Sequence, residues 1–268
     1  VTAPRPTFGP TRVTRLLIGV IVGAFFAIPL VSTLLYTLRM PDGRLSFERW
    51  TGLFSPAVQT AARPIWTGLG NSLVLCLVTV AIVLLLLAPT MVLVHLRFPR
   101  LRRVFEFTVL LPISIPAIVL VVGLAPIYLQ IGRWFGTGTW TLAFAYGITV
   151  LPFAYRSIQA SIEAADLRTL AEAARSLGAG WGAVAFRVLA PNLRQGLLAA
   201  SLISVAVVLG EFTIASLLNR QVFQTAMVVV RNQDAYLPAM FTLLALLFCF
   251  ALLLLIGRLA RGTRKARP

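Results

Sequence analysis

Long apolar runs separated by short arginine-bearing stretches dominate the chain. A helix needs about 20 mostly apolar residues to cross the hydrocarbon core of a bilayer. Six runs reach that length, at about 16–38, 69–94, 104–129, 140–162, 193–218 and 237–259. The pattern predicts an all-α integral membrane protein with six transmembrane helices. The first run exceeds a signal-peptide core and has no small-residue cleavage site after it, so it is expected to stay as a helix. Pro29, Pro89, Pro112, Pro116, Pro126 and Pro152 fall inside runs. Membrane helices tolerate proline where neighbours or water meet the freed carbonyls. A kinked bundle is therefore expected. The leucine-dense second and sixth runs read as lipid-facing. The fifth is richer in small and polar residues (Gly196, Ser201, Ser204, Gly210, Thr213, Ser216). Such residues allow close helix packing, which places this run at the core or along a pore.

Composition agrees and adds orientation. The 268 residues are 59% hydrophobic and 12% charged, with mean hydropathy +0.90. A soluble domain is about 25% charged, so a soluble fold is excluded. The net charge of +16 would suggest nucleic acid if it formed one basic surface. Sorted by loop, 17 basic residues fall on one side of the predicted membrane and seven on the other. That is the positive-inside asymmetry. It predicts both termini in the cytoplasm, a segment 1–15 before the six-span domain 16–259, and a basic tail at 260–268. No basic stripe is left for nucleic acid.

Several chemistries drop out. The only lysine is Lys265, so no Gly-Lys phosphate-binding loop exists. Cys76 and Cys249 lie apart in apolar runs, and His95 has no second histidine or cysteine nearby. Neither a metal site nor a disulfide framework is expected. The eight acids are scattered, which argues against a membrane enzyme. No catalytic residue is assigned.

The stretch at 163–192 is too polar to span the membrane and too regular for a linker. Leu167, Leu170, Ala171 and Ala174 share one helical face, with Asp166 placed as N-cap. Gly178-Ala179-Gly180 breaks the helix. Trp181, Val184, Ala185, Val188 and Leu189 resume the spacing, and Pro191 is expected to end it. Two short amphipathic helices joined by a glycine elbow follow. They suit either the lipid headgroup region or a groove on a partner.

Glu172-Ala173-Ala174, Gly178, Val188 and Pro191 resemble the EAA motif of membrane subunits of ATP-binding-cassette importers, which reads E-A-A, three residues, G, nine residues, I-x-L-P. Val188 replaces the isoleucine and Ala190 the leucine. The likeness extends over about 46–247. It includes Gly70-Asn71-Ser72, the Leu111-Pro112 to Pro116 segment, and Gly210-Glu211-Phe212. The last is similar to fifth-span residues in the sulfate, molybdate, ferric iron, thiamine, polyamine and phosphonate branches. The resemblance implies a type I importer permease bundle in a bacterial cytoplasmic (inner) membrane. It implies that the 166–191 loop inserts into an ATPase subunit as a coupling helix. Glu172 would make a polar contact there, Ala173 and Ala174 would allow close approach, and Gly178 would make the turn. It also implies two ATP-binding subunits carrying ATP and Mg, a second permease chain, the same or related, and an extracytoplasmic solute-binding protein. An ion-gradient-driven secondary transporter or channel is the alternative. Such proteins often show internal repeats and several buried charges, whereas this chain has one deeply placed acid.

That acid is Glu211. Counting from Leu193 at about 1.5 Å per residue, it lies about 27 Å along the fifth run. A carboxylate at that depth faces the bundle interior or water. With Ser204 and Thr213 it is a pore or substrate candidate; a structural hydrogen bond to a neighbouring helix is the other reading. Glu106 is expected to pair with the basic run Arg100 to Arg103. Tyr36, Trp66, Trp134, Trp140, Tyr155 and Tyr236 are expected as interfacial anchors.

Overall fold

The computed structural model describes residues 11–262, and the side chains at 252, 253 and 255–262 fall outside that description. So do residues 1–10 and 263–268, with Arg5, Arg264, Lys265 and Arg267. Among the described residues the chain is helical, with one isolated antiparallel bridge between Arg39 and Leu45.

Four helices are long and apolar enough to cross a membrane: α1 Arg12–Leu38, α2 Pro56–Arg97, α4 Ala117–Phe135 and α7 Trp181–Gly210. Between α2 and α4 lies the short α3 Arg102–Leu110. After α4 comes α5 Ala143–Ala165, then α6 Leu167–Ser176. Two short helices follow α7: α8 Thr213–Leu217 and α9 Phe223–Arg231. The last helix among the described residues is α10 Tyr236–Gly262, whose described apolar run is Tyr236–Ala251.

The third predicted span is two helices rather than one. After α3 the backbone tightens through Leu111–Ser114 and turns extended at Ile115. Pro112 and Pro116 lack the amide hydrogens a continuous helix needs. The second span is longer than predicted. Its helix starts at Pro56, where the Ser55 hydroxyl accepts from the Val58 N–H. It is also not simply lipid-facing. Ala62, Ile65, Ser72, Leu75, Cys76 and Thr79 of α2 are buried, because α2 packs against α5, α7 and α9.

At the centre is the α5–α7 pair. Here Gly196 is functionally a spacer. A Cβ on it would press on the Ser161 hydroxyl and lie 2.8 Å from the Ser157 carbonyl oxygen. Ile158, Ile162, Val150, Ala154 and Ala200 are fully enclosed around the contact. The fifth span thus sits at the core, as its small residues imply.

At the opposite extreme, none of the apolar window of α1 is buried. Valine, leucine, isoleucine and phenylalanine face outward along its length, a surface suited to lipid. Its far end is tied by Tyr36 stacked on Tyr236 at 4.9 Å. The Arg49 guanidinium lies 3.6 Å from the centre of the Tyr236 ring, and the Trp50 indole N–H donates to Thr37 Oγ1 at 3.1 Å. The sixth span divides. Leu237, Met240 and Phe241 are buried, whereas Leu246, Leu247, Phe248 and Phe250 are exposed as predicted. Tyr155 is no interfacial anchor: it is 3% exposed, packed in the core near Phe105.

Candidate functional site

The 166–191 segment folds as a hairpin at the arginine-rich end. At the end of α5, Asp166 takes a left-handed conformation, φ 42°. It stands at the predicted N-cap position but caps no backbone amide. Its carboxylate instead accepts from Thr169 Oγ1 at 2.7 Å. In α6, Leu167 and Ala171 are buried, and Leu170 and Ala174 are partly buried against the same cluster as Val184, Leu189 and Leu193. The apolar face of α6 therefore seats the hairpin on its own bundle. Glu172 and Ala173 point outward. Arg168 Nε donates to Glu172 Oε1 at 2.9 Å. That carboxylate raises the affinity of Arg168 for its proton.

The elbow is a Schellman turn. The Ala179 N–H bonds the Ala174 carbonyl at 3.1 Å, and the Gly178 N–H bonds that of Arg175 at 3.0 Å. This pattern needs a left-handed residue just past the helix. Gly178 supplies it at φ 84°, with open space where a Cβ would sit. Arg175 braces the turn from both sides. Its guanidinium donates to the Ala179 carbonyl at 2.8 Å and lies 5.3 Å from the Trp181 ring centre. Leu177 at the tip is 88% exposed, and Phe186 is 80% exposed.

Pro191 does not end the second helix, contrary to expectation. Trp181–Gly210 is one helix. The turns before the proline widen to a π-helical segment, Val184–Leu189, which accommodates a proline whose ring and missing N–H a regular turn cannot. The Asn192 side-chain amide donates to the Val188 carbonyl at 2.7 Å. Val188 is half-buried and Pro191 exposed. The same device recurs in α2, where Val83–Leu87 widens before Pro89. The hairpin is thus one short helix folded back on the extended foot of a core helix.

A salt bridge stands at the base of this hairpin. Arg102 Nη2 donates to Glu163 Oε1 at 2.6 Å, and Gln159 donates to the same oxygen at 2.8 Å. These two donors, the Gln159 amide first, hold the Glu163 carboxyl below its ordinary value. Arg102 thus pairs with Glu163 rather than Glu106, which has no ion pair among the described residues.

Glu211 lies at the other end of α7. It sits past the helix, because α7 stops at Gly210 and the backbone turns extended there (φ −79°, ψ 126°). The predicted fifth span ran on to 218. Both carboxylate oxygens face the next helix. Oε1 accepts from the Ile214 N–H at 2.8 Å and Oε2 from the Ala215 N–H at 3.4 Å. Glu211 is therefore the side-chain cap of α8, a local hydrogen-bonded role rather than a bond to a distant helix. The buried Tyr146 hydroxyl faces it without completing a hydrogen bond of normal geometry. Ser204 is fully buried, its hydroxyl donating to the Ala200 carbonyl at 2.7 Å. Thr213 is half-buried at the first position of α8. Glu211 and Thr213 are brought together at this corner; Ser204 lies two turns back inside α7.

One helix, α9, is absent from the six predicted apolar runs. The chain reverses at Asn219, φ 50°, and α9 returns to α2. It buries Phe223, Ala226, Met227 and Val230, a spacing of i, i+3, i+4, i+7 that marked a helix face. Gln224 donates to the Leu209 carbonyl at 3.0 Å, so α9 also holds the end of α7.

Long helices with aliphatic side chains turned outward mark an integral membrane protein. Residues 85–265 match the family of binding-protein-dependent transport system inner membrane components, and the chain belongs to it. It is accordingly a permease component of an ATP-binding-cassette transporter. No curated protein matches the chain in a sequence search.

Proposed function

We propose that the chain forms half of the translocation pathway of an ATP-driven solute importer. The 166–191 hairpin docks into a separate ATPase subunit. One observation carries this reading: the apolar face of α6 is used up internally, against the hairpin's own bundle. That leaves Glu172, Ala173 and Leu177 presented outward at its tip. A loop made only to lie on headgroups would turn Leu167 and Ala171 to lipid, yet both are buried.

In this assignment the membrane is crossed six times. α1, α2, the α3–α4 pair, α5, α7 and α10 make the crossings, with both termini in the cytoplasm of a bacterial inner membrane. The arginine asymmetry supports that orientation. A second permease chain, the same or related, completes the pathway. ATP and Mg are held by two partner ATPase subunits, and an extracytoplasmic binding protein delivers the solute. This chain contributes no catalytic group. Closure of the ATPase pair pushes the hairpin, and the continuous α7 carries the displacement from Trp181 to the Glu211 corner as one rod.

Glu172→Ala and Leu177→Asp, made in the assembled transporter, test the joint. Both should cut solute-stimulated ATP hydrolysis and co-purification of the ATPase subunit at least tenfold, with membrane insertion unchanged. Wild-type coupling in both variants would overturn the assignment.

A further inference from the structure

A pocket of about 240 Å³ opens between α3 and α5 beside the base of the hairpin. It starts at the Arg102–Glu163 bridge, with Glu163 on its wall. One turn further along α3 stands Glu106, and one turn back along α5 stands Gln159. Tyr155 and Arg156 line it a turn beyond Gln159. Sites for drug-sized molecules hold about 300–1,000 Å³, so an occupant of this one is small. Arg156 and Glu163 are exposed at its mouth, and charged groups of a membrane protein face water rather than lipid.

Its polar groups are unmatched. Tyr155 is 3% exposed, yet its hydroxyl has no hydrogen-bond partner. A buried hydroxyl left unpaired is costly. This one faces the Glu106 carboxylate, with Arg102 and Glu163 near it. Glu106 is half-buried, and neither it nor Arg156 has an ion pair among the described residues. They are opposite in charge and line one small pocket, but stand too far apart to pair. The Gln159 amide hydrogens go to Glu163, which leaves its carbonyl oxygen as an acceptor. A metal ion suits this wall poorly, because Arg102 and Arg156 bring as much positive charge as Glu106 and Glu163 bring negative. A carboxylate and a guanidinium held apart, with a free hydroxyl on the same wall, match a solute that carries both charges.

We propose that this pocket binds a small zwitterion of the α-amino acid type. Its ammonium donates to Glu106, and its carboxylate accepts from the Arg156 guanidinium and the Tyr155 hydroxyl, charge-assisted bonds of the strong kind. The occupant joins α3 to α5 beside the Arg102–Glu163 bridge.

The full chain in nonionic detergent is melted at neutral pH and constant ionic strength with rising glycine, methylammonium chloride or sodium acetate. Glycine carries both charges and each of the others carries one. A ligand of the folded chain raises its melting temperature. Glycine is expected to reach half its effect at about one tenth of the concentration that either single-charge probe needs. In Glu106→Gln and in Arg156→Gln that advantage should vanish. Tyr155→Phe, which keeps the ring, should weaken glycine about fivefold. Equal responses to the three probes would overturn the proposal. So would silence to all three, which would mean that Glu106 and Arg156 satisfy each other, or a methylammonium effect as strong as that of glycine, which would make this a cation site. A glycine response unchanged in both charge variants would place the glycine elsewhere and overturn it too. The wild-type comparison decides the matter even if a variant fails to fold. No ATPase subunit takes part, so the outcome is independent of how the hairpin docks.

Discussion

The chain breaks a helix at each end of its central rod, and it does so by different means. At the arginine-rich end the break is made by backbone. Gly178 takes a left-handed φ, two amide hydrogens close a Schellman turn, and the tip stays open with Leu177 88% exposed. At the far end the break is made by a side chain. Glu211 caps α8, and Ile214, Ala215 and Val222 around it are buried. The first break costs the rest of the molecule little to keep and offers its surface to something else. The second is locked by its own neighbours, α9 included. A site meant to be gripped from outside needs a fixed shape that is independent of the bundle. On the proposed reading the far corner ends the rod that carries the displacement, and such a corner needs its shape tied to the bundle.

The change expected to hurt most strikes the rod that both breaks share. Gly196→Val places a side chain against the Ser161 hydroxyl and the Ser157 carbonyl. The carbonyl belongs to a helix backbone and cannot yield as a side chain would. Overpacking of this kind costs about 3 kcal/mol. Loss of a monodisperse species on size exclusion is expected, and both regions should fail together. If transport persisted in Gly196→Val, the two breaks would not depend on one rigid rod.

Next comes the side-chain break. Glu211→Ala strips the α8 N–H groups of Ile214 and Ala215 of their acceptors. An unmet buried donor costs about 1–3 kcal/mol. A clear fall in melting temperature is expected, with ATPase co-purification unchanged. Glu211→Gln keeps one acceptor oxygen and should recover part of the loss. If Glu211→Ala melted like wild type but altered solute affinity, the carboxylate would be a solute ligand rather than a cap.

The backbone break should behave in the opposite way. Gly178→Val meets no neighbour, so its cost is the left-handed backbone alone, about 1–2 kcal/mol. Melting of the isolated chain should fall only slightly, because the elbow is outside the core. Solute-stimulated ATP hydrolysis should fall sharply. Gly178→Asn, which tolerates that φ better, should be the milder of the two. Equal coupling in glycine, asparagine and valine forms would show that the turn itself does not matter.

The two breaks also differ in how far the residues announce them. The elbow was readable because glycine spacing and local hydrogen bonds decide it within six residues. The Glu211 cap was not. A carboxylate in an apolar run looks deep until the helix is known to stop at Gly210, and α9 helps to hold that end. Pro191 misled for a related reason. Proline ends a helix only if the preceding turns stay regular, and Val184–Leu189 widens instead. The apolar runs located the long helices, yet hydropathy alone could not tell the exposed α1 from the half-buried α2. That distinction lies in partners, such as the α9 return onto α2, and not in how apolar each run is.

The smallest effect concerns the base of the hairpin, where the Arg102–Glu163 pair joins α3 to the end of α5. The side chains are 41% and 56% exposed, so water screens the attraction and the pair is worth about 0.2–1 kcal/mol. The Gln159 amide and Arg102 hold the Glu163 pKa below its ordinary 4.5. Folding therefore favours the ionised form, and the contribution is fully present above that ordinary value. It is lost as pH falls through the lowered one. Compared with Glu163→Gln, the wild type should melt about 1–2 °C higher at neutral pH, and the gap should close as the pH falls below the ordinary carboxylate range. A gap that widened on acidification would mean that Glu163 is stabilised in its protonated form. The hairpin base would then be held by packing against the bundle, as the Glu211 corner is, and the contrast between the two ends would weaken.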